Sequence, residues 1–336
     1  MVVSSFIGGD LTVYPAAINL WLLVIALGLD AALGWPDTLY RAIRHPVVWI
    51  GALIGLLDRG LNRPAWRIWQ RQMAGIVALL LLLIACVGVA IPISAFLRTL
   101  PWGWLIEGLL AASLIAQRSL YDHVAAVARG LEQDGLAGGR KAVAMIVGRD
   151  PESLDEHGVS RAAIESLAEN FSDGVVAPAF WLALLGLPGI VLYKATNTAD
   201  SMIGHKNDKY RAFGWAAARF DDLLNLPASR LSALLLILAA LLTPKAAPGD
   251  AFAAVERDAG QHKSPNAGWP EAAMAGALGL KLAGPRRYGE RWVEDHWMGH
   301  GRENATAADI RRALRLFVVA CLLLLGGAVL AAIALR

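Results

Sequence analysis

The sequence predicts an all-α, polytopic integral membrane protein, and three observations support this fold class. Of its 336 residues, 56% are hydrophobic and 18% are charged, a balance too apolar for an ordinary soluble enzyme of this length. Three stretches, at about 12–33, 74–97 and 314–335, are long enough to cross a bilayer, which takes roughly 20 apolar residues of helix. The polar segments between the apolar stretches lack the alternating pattern of β-strands and are predicted to be helix and loop.

Charge, cysteine content and motifs exclude several other classes. The 31 Lys+Arg against 28 Asp+Glu leave a net charge of +3, which is small for a protein that must neutralise many phosphates, so no nucleic-acid partner is expected. Cys86 and Cys321 lie in apolar runs without CxxC spacing, which excludes a zinc ribbon or a disulfide framework. Neither G-x-x-x-x-G-K-[ST] nor G-x-G-x-x-G occurs, so any ATP site is of another kind.

Three weaker apolar stretches, 102–116, 174–193 and 228–243, can each cross the membrane, re-enter it or pack inside protein. The second is interrupted by Pro178, Gly186, Pro188 and Gly189. We predict four crossings, with 102–116 as the third and with 174–193 and 228–243 re-entrant or buried. Six crossings are the alternative.

The basic residues predict the orientation. The loop 35–73 carries Arg41, Arg44, Arg59, Arg63, Arg67 and Arg71 but only Asp37 and Asp58, and loops rich in Lys and Arg stay in the cytoplasm. The N-terminus is therefore expected outside. The predicted organisation is an N-terminal membrane region, 1–116, a cytoplasm-facing region, 117–313, and a C-terminal transmembrane helix, 314–336.

A polar helix is predicted from about Ser160, directly before the apolar stretch 174–193. Arg161, Glu165 and Glu169 fall on one face at i, i+4 and i+8, and Asn170 and Asp173 follow. A solvated face with ion pairs is the ordinary interpretation of such a triplet. Unpaired acids at a membrane surface are costly, however, and oxygen ligands suit a divalent cation.

A second polar string follows the stretch 174–193. Helical spacing places Asn197, Asp200 and Ser201 on one face, either as a polar site or as a helix cap. The next segment, 204–211, is dense in donors, including Lys206, Asn207 and Arg211. Such a loop suits phosphate oxygens, although a solvated charge run looks similar.

Further along, Arg219, Asp221 and Asp222 lie on a predicted helix, where a local ion pair is the alternative to a binding role. Residues 264–271 form a turn before another helix, which is rich in small residues. Small residues allow close helix packing and are compatible with a homodimer.

Several strings resemble the CobD/CbiB family. They are GRD at 148–150, SRAAIESLAEN at 160–170, SDGVVAP at 172–178, NTADSM at 197–202, FGW at 213–215 and SPNAG at 264–268, together with His45-Pro46 and Gly51. They occur in the right order over nearly the whole chain. Members of the family are membrane-bound adenosylcobinamide-phosphate synthases of cobalamin biosynthesis.

The resemblance implies an ATP-dependent amide ligation. Adenosylcobyric acid, a cobalt corrinoid, would be joined to (R)-1-aminopropan-2-ol or its O-phosphate, and the sequence leaves open which of the two is the acceptor. Because a carboxylate is a poor acyl donor, we expect an acyl phosphate formed from Mg²⁺-bound ATP. Such a site needs carboxylate ligands, phosphate donors and a base for the amine proton.

The resemblance also suggests roles for the candidate residues. The catalytic candidates are Glu165, as the base, with Glu169, Asn170 and Asp173. The substrate- or nucleotide-binding candidates are Arg161, Asn197, Ser201, Lys206, Asn207, Arg211, Arg219, Ser264 and Asn266. The Mg²⁺ candidates are Glu169, Asp173, Asp200, Asp221 and Asp222. Since ATP is cytoplasmic, the site is expected on the cytoplasmic side of the inner membrane, which is the reason for preferring four crossings.

Two other functions remain open at this point. One is a non-catalytic signalling protein like the AmpE proteins, which the dense polar strings disfavour. The other is a transporter with broken helices, for which no inverted repeat is visible. Besides membrane lipid and small-molecule substrates, a soluble partner of the cobalamin pathway is left open.

Overall fold

The computed structural model describes residues 15–34, 44–148, 150–288, 291–293 and 295–335. Asp37 and Arg41 of the basic loop, the first residues of the span at 12–33, and Arg149 of the GRD string lie outside the described residues. Most of the described chain is helical, so the all-α fold class is confirmed.

The α-helices of the described residues are α1 (Pro15–Leu33), α2 (Pro46–Leu61), α3 (Ile68–Leu97), α4 (Gly103–Ala112), α5 (Gln117–Val143), α6 (Glu156–Phe171), α7 (Ala177–Ile203), α8 (Trp215–Leu242), α9 (Pro248–Asp258), α10 (Gly268–Leu278) and α11 (Ala307–Ala334). A π-helical turn, Ser172–Val176, connects α6 to α7, and single 3₁₀ turns occur at Pro151–Ser153 and Ala259–Gln261.

Five helical runs of the described residues are long and apolar enough to cross a membrane. They are Ala16–Leu33, Ile68–Leu97, Glu156–Ile203, Trp215–Leu242 and Ala307–Ala334, and they support a multi-pass membrane protein. The stretch at 102–116 is different, because α4 has only 10 residues and a helix of that length rises about 15 Å, half of a bilayer core. The predicted four-crossing arrangement counts residues 102–116 as its third crossing. The number of crossings therefore remains a prediction.

The chain forms two compact units. The first contains residues 1–116, 177–224 and 327–336, and the second contains residues 117–176 and 225–326.

In the first unit, α1 packs against α4 and α7, and α2 packs against α3 and α7. An apolar cluster joins α2, α3, α7 and the start of α8. Its buried members are Ile50, Ile54, Ala74, Ala78, Leu82, Ala195, Ala199, Ile203, Phe213 and Ala217. Small side chains allow the helices to approach closely. Gly75 shows the limit of this approach, since a Cβ built on it would lie 1.9 Å from the carbonyl oxygen of Phe213.

The first unit also contains a buried charged residue, Glu107, which is 0% exposed. Its carboxylate accepts a hydrogen bond of 2.6 Å from the Ser94 hydroxyl and two of 3.2 Å from the Arg98 guanidinium. Arg98 also donates to the Asn19 side chain at 2.9 Å. The break in α7 at Gly186, whose φ is +66°, lies against Asn19 and Arg98. The interruption predicted in 174–193 is therefore a kink within one helix.

In the second unit, α5 packs against α6, α6 packs against α10, and α9 packs against α10. Phe171 and Phe317 meet edge to face with ring centroids 5.5 Å apart. α5 contains a kink at Gly135, whose φ is +63°. The stretch at 228–243 falls in the second half of α8.

One correction concerns the polar segment 194–313, which was predicted to contain only helix and loop. Its described residues include four short strands, β1 (Leu282–Ala283), β2 (Arg286–Tyr288), β3 (Arg291–Val293) and β4 (Trp297–Met298). β1 pairs with β4 and β2 pairs with β3, both antiparallel. Strands of two or three residues are too short to show an alternating pattern in the sequence.

Candidate functional site

The polar string after the helix kink lies at the end of α7, in the first unit, and faces the start of α8. The Asn197 side-chain amide donates to the Asp221 carboxylate at 3.3 Å, which links the two helices. The Ser201 hydroxyl donates to the Asn197 carbonyl at 2.9 Å. Asp221 is buried, whereas Ser201 is exposed.

Two further carboxylates of this region interact with each other and with cations. Asp200, near the end of α7, interacts electrostatically with Asp222, His205 and Arg219. Asp222 is paired with Arg219 at 3.0 Å and interacts electrostatically with Lys206. The ion pair foreseen as the alternative for Arg219 is therefore present. This pair is only part of the cluster, because Asp200 interacts electrostatically with both Asp222 and Arg219, and Lys206 interacts with Asp222.

The segment 204–214, which we call the donor loop, joins α7 to α8. Gly204 N donates to the Asp200 carbonyl and Gly214 N to the Tyr210 carbonyl, both at 2.7 Å. The Asn207 side chain accepts from Tyr210 N at 2.9 Å, so this predicted phosphate donor uses its oxygen to form the turn. Lys206 and Arg211 are exposed.

His45, of the His45-Pro46 string, begins α2. Its Nδ1 accepts from Val47 N at 3.2 Å and caps the helix. Burial, and secondarily the charge of Lys194, lower the pKa of His45 below its ordinary value of 6.5, against a smaller opposing effect of the Ser113 backbone. This histidine is therefore neutral at pH 7, as a helix cap that accepts a hydrogen bond requires.

The predicted helix with Arg161, Glu165 and Glu169 is α6, in the second unit, and Asp155 caps its N-terminus by accepting from Gly158 N at 2.6 Å. Glu165 is buried and accepts from Ala283 N at 3.0 Å. Arg161 donates to the Glu303 carbonyl at 2.6 Å and lies 5.9 Å from the centre of the Trp297 ring. Glu169 is exposed at the end of the helix. Arg161 and Glu165 therefore each have a structural contact, and Glu169 is open to solvent.

Asn170 and Asp173 flank the start of the π-helical turn. The Asn170 amide donates to the Ser166 carbonyl at 2.9 Å and to its hydroxyl at 3.2 Å. Asp173 is half-buried within the turn. π-Helical turns are rare and occur frequently at functional sites. Nothing in the one-dimensional pattern indicated this turn.

Ser264 and Asn266, also in the second unit, hold the turn before α10. The Ser264 hydroxyl accepts from Asn266 N and Ala267 N, both at 3.2 Å. The Asn266 side-chain oxygen accepts from the Ser229 hydroxyl at 3.1 Å and from Arg230 at 2.9 Å. Arg230 also lies 4.4 Å from the centre of the Trp269 ring. Sequence reasoning assigned no role to Arg230, because Asn266 and Trp269 are more than 35 positions away from it.

Among the described residues, no three His, Cys, Asp or Glu side chains are grouped so that they could hold a metal ion together. The metal candidates Asp200, Asp221 and Asp222 belong to the first unit, and Glu169 and Asp173 belong to the second. Mg²⁺ that is bound with a nucleotide needs only one or two carboxylates, since phosphates and water complete its shell. Asp200 and Asp222, which already interact with each other, fit that requirement.

Comparisons with known proteins agree on one family. A sequence model described as CobD/Cbib protein matches residues 23–317. A Sinorhizobium protein named "Cobalamin biosynthesis protein CobD" is 54% identical over 91% of this chain and 96% of its own length. Proteins of the same name from Rhizobium meliloti and Rhodobacter capsulatus are 53% and 50% identical, over 90% and 88% of this chain and 93% and 92% of their own lengths. No solved structure matches. The chain therefore belongs to the CobD/CbiB family.

Proposed function

We propose that this protein is an ATP-dependent amide ligase of cobalamin biosynthesis. In this proposal it joins adenosylcobyric acid to (R)-1-aminopropan-2-ol or its O-phosphate, and adenosylcobinamide or its phosphate is formed. Family membership and the names of the relatives support a role in the cobalamin pathway. The reaction type is the one that the resemblance to the family implies, and the polar groups of the chain are compatible with it.

The observation that carries the proposal is the acid and base cluster of the first unit. Asp200 and Asp222 interact with each other and with Arg219, and Lys206 adds positive charge beside Asp222. Two mutually repelling carboxylates beside cations suit a bound cation together with phosphate oxygens. A signalling protein has no need for this combination.

Each group of the cluster would then have a defined task. Bound Mg²⁺ would neutralise phosphate charge, and Asp200 and Asp222 would hold it. Lys206, Arg211 and Arg219 would bind phosphate oxygens, and Arg219 would exchange its contact with Asp222 for one with the nucleotide. The substrate carboxylate attacks the γ-phosphorus and ADP leaves. The amine nitrogen then attacks the acyl carbon, phosphate leaves, and the amine proton passes to a carboxylate.

The contacts of α6 refine the choice of carboxylate. Glu165 was predicted as the base, but its hydrogen bond to Ala283 N and its burial favour a positioning role. Glu169 is exposed one helical turn further along. We infer that Glu169, rather than Glu165, is the carboxylate of this helix that takes part in the reaction.

The purified full-length protein should consume adenosylcobyric acid and release ADP only when ATP, Mg²⁺ and the amine are all present. Asp200→Asn and Glu169→Ala should each lower this rate about 100-fold or more, as expected when a group that contacts the reacting phosphates is lost. Asp122→Asn is the matched control, since it removes an exposed carboxylate paired with Arg118 on α5. Absence of ATP-dependent turnover in the wild-type protein would overturn the proposal, as would full activity of Asp200→Asn.

A further inference from the structure

The donor loop is fastened at its tip to the hairpin of α2 and α3, also within the first unit. Lys209 Nζ lies 3.0 Å from the Asp58 carboxylate, and the Tyr210 hydroxyl lies 3.2 Å from the same oxygen. The side chain of Asp58 is 12% exposed, and that of Lys209 is 61% exposed. A nearly buried acid on a helix is thus neutralised by a lysine from a loop 151 positions away.

The backbone of the loop is held as well. The guanidinium of Arg71, near the start of α3, donates to the carbonyls of Lys209 and Asp208. The Asn62 amide donates to the Lys209 carbonyl at 3.2 Å and to Asp58 at 2.9 Å, and the Asn62 oxygen accepts from Arg71. We call Asp58, Asn62, Arg71, Lys209 and Tyr210 the clasp.

The electrostatics of Asp58 agree with this arrangement. Burial by itself would raise the pKa of Asp58, but hydrogen bonds from Asn62, Lys209 and Tyr210 and the charge of Lys209 outweigh it and hold the pKa below the ordinary value. Asp58 is therefore ionised at neutral pH, and the clasp depends on that charge.

The base of the loop is closed independently of the clasp. A Cβ on Gly214 would lie 1.6 Å from the Ile203 carbonyl oxygen, so the two ends of the loop are in backbone contact. Loss of the clasp therefore frees the tip of the loop without separating α7 from α8. The exposed Lys206 and Arg211 lie between the closed base and the fastened tip.

We propose that Asp58 is a positioning residue, which holds the donor loop through Lys209 and Tyr210 so that Lys206 and Arg211 are preorganised for the phosphates of the nucleotide. This inference rests on the proposed function for the identity of the ligand. When the donor groups of a loop are already ordered, ligand binding does not cost the conformational entropy of ordering them. The clasp should therefore affect nucleotide affinity more than the chemical step.

The test compares wild-type protein, Asp58→Asn, Lys209→Met and the charge exchange Asp58→Lys with Lys209→Asp, all full-length and in the same lipid nanodiscs. Hydrogen exchange over residues 204–214 reports loop order without any substrate. Exchange over α2 reports whether the helix itself is intact. Asp122→Asn again controls for the loss of one exposed ion pair.

We expect faster exchange in 204–214 for both single variants, with exchange in α2 unchanged, and about a tenfold higher KM for ATP with kcat within about twofold of wild type. The charge exchange should restore part of both effects. Unchanged exchange in 204–214 would overturn the clasp. A loosened loop with an unchanged KM, or a loss confined to kcat, would overturn its positioning role.

The two proposals fail separately. A wild-type protein without ligase activity would overturn the proposed function and, with it, the role of the clasp in that reaction. Faster loop exchange in Asp58→Asn would still support the clasp itself, because that measurement contains no substrate.

Discussion

The buried carboxylate of Glu107 allows a quantitative prediction about the first unit. Glu107→Ala removes the acceptor of three hydrogen bonds and leaves Ser94 and the Arg98 guanidinium without their carboxylate partner. Two of the three donors are charged, and Glu107 is 0% exposed. The change therefore removes a partner from a buried ion pair rather than a surface contact.

The structure bounds the size of the effect. Breaking a fully buried ion pair by removing one partner costs about 3–5 kcal/mol. The Arg98 side chain is 34% exposed and keeps its bond to Asn19, which lowers the cost. Hydrogen bonds measured inside membranes average only about 0.6 kcal/mol each. We therefore expect Glu107→Ala to lower the free energy of unfolding by about 2–4 kcal/mol, and Glu107→Gln, which can still accept from Ser94, by about 1–2 kcal/mol.

The measurement is denaturant unfolding in mixed micelles, followed by the fluorescence of the 12 tryptophans. The informative control is the double variant Glu107→Leu with Arg98→Met, because replacing both members of a buried pair by apolar residues is often neutral. It should be more stable than Glu107→Ala. A cost below about 1 kcal/mol for Glu107→Ala, or a double variant less stable than the single one, would refute the reasoning.

Two further predictions concern packing and pH. Gly75→Ala should lower thermal stability strongly, because its Cβ would lie 1.9 Å from the Phe213 carbonyl oxygen, whereas Gly88→Ala, in the same helix with no atom within 4 Å, should be neutral or stabilising by about 0.5–1 kcal/mol; equal thermal shifts for the two variants would contradict the packing. Because the folded-state pKa of His45 is lowered, its contribution to stability is complete above the unfolded value of about 6.5 and is lost as the pH falls through the lower folded value. Unfolding measured between pH 8 and 5 should show this loss in wild type and a smaller one in His45→Asn, which can still cap the helix; parallel pH profiles would contradict it.

Much of the architecture follows from local sequence patterns. Long apolar runs predict membrane helices because the backbone N–H and C=O groups of a segment in lipid must be hydrogen-bonded within that segment. In a helix, residues that are close in the sequence provide these hydrogen bonds. Gly135 and Gly186, with positive φ, interrupt helices where the sequence places further glycine or proline residues close by. The short strands were missed because they hold too few residues to show a period.

The candidate site, too, could be predicted from the sequence only in part. The chemistry of Asp200, Asp222 and Arg219 was predicted from their residue types. In the structure Arg219 pairs with Asp222, and Asp200 interacts electrostatically with both. The structural tasks of Asn207 and Asn266 were not visible, since the same amide that suits a ligand also suits a turn.

The sequence by itself determined the helical membrane fold, the family and the composition of the polar strings, because hydropathy and motif are properties of consecutive residues. Only the tertiary structure decided that Asp58 meets Lys209 and that Arg98 meets both Glu107 and Asn19. The first pair is separated by 151 positions, and Asn19 and Arg98 by 79. Contacts between residues so far apart in the sequence depend on how the helices pack. The positions that are brought together by this packing show no periodic pattern in the sequence.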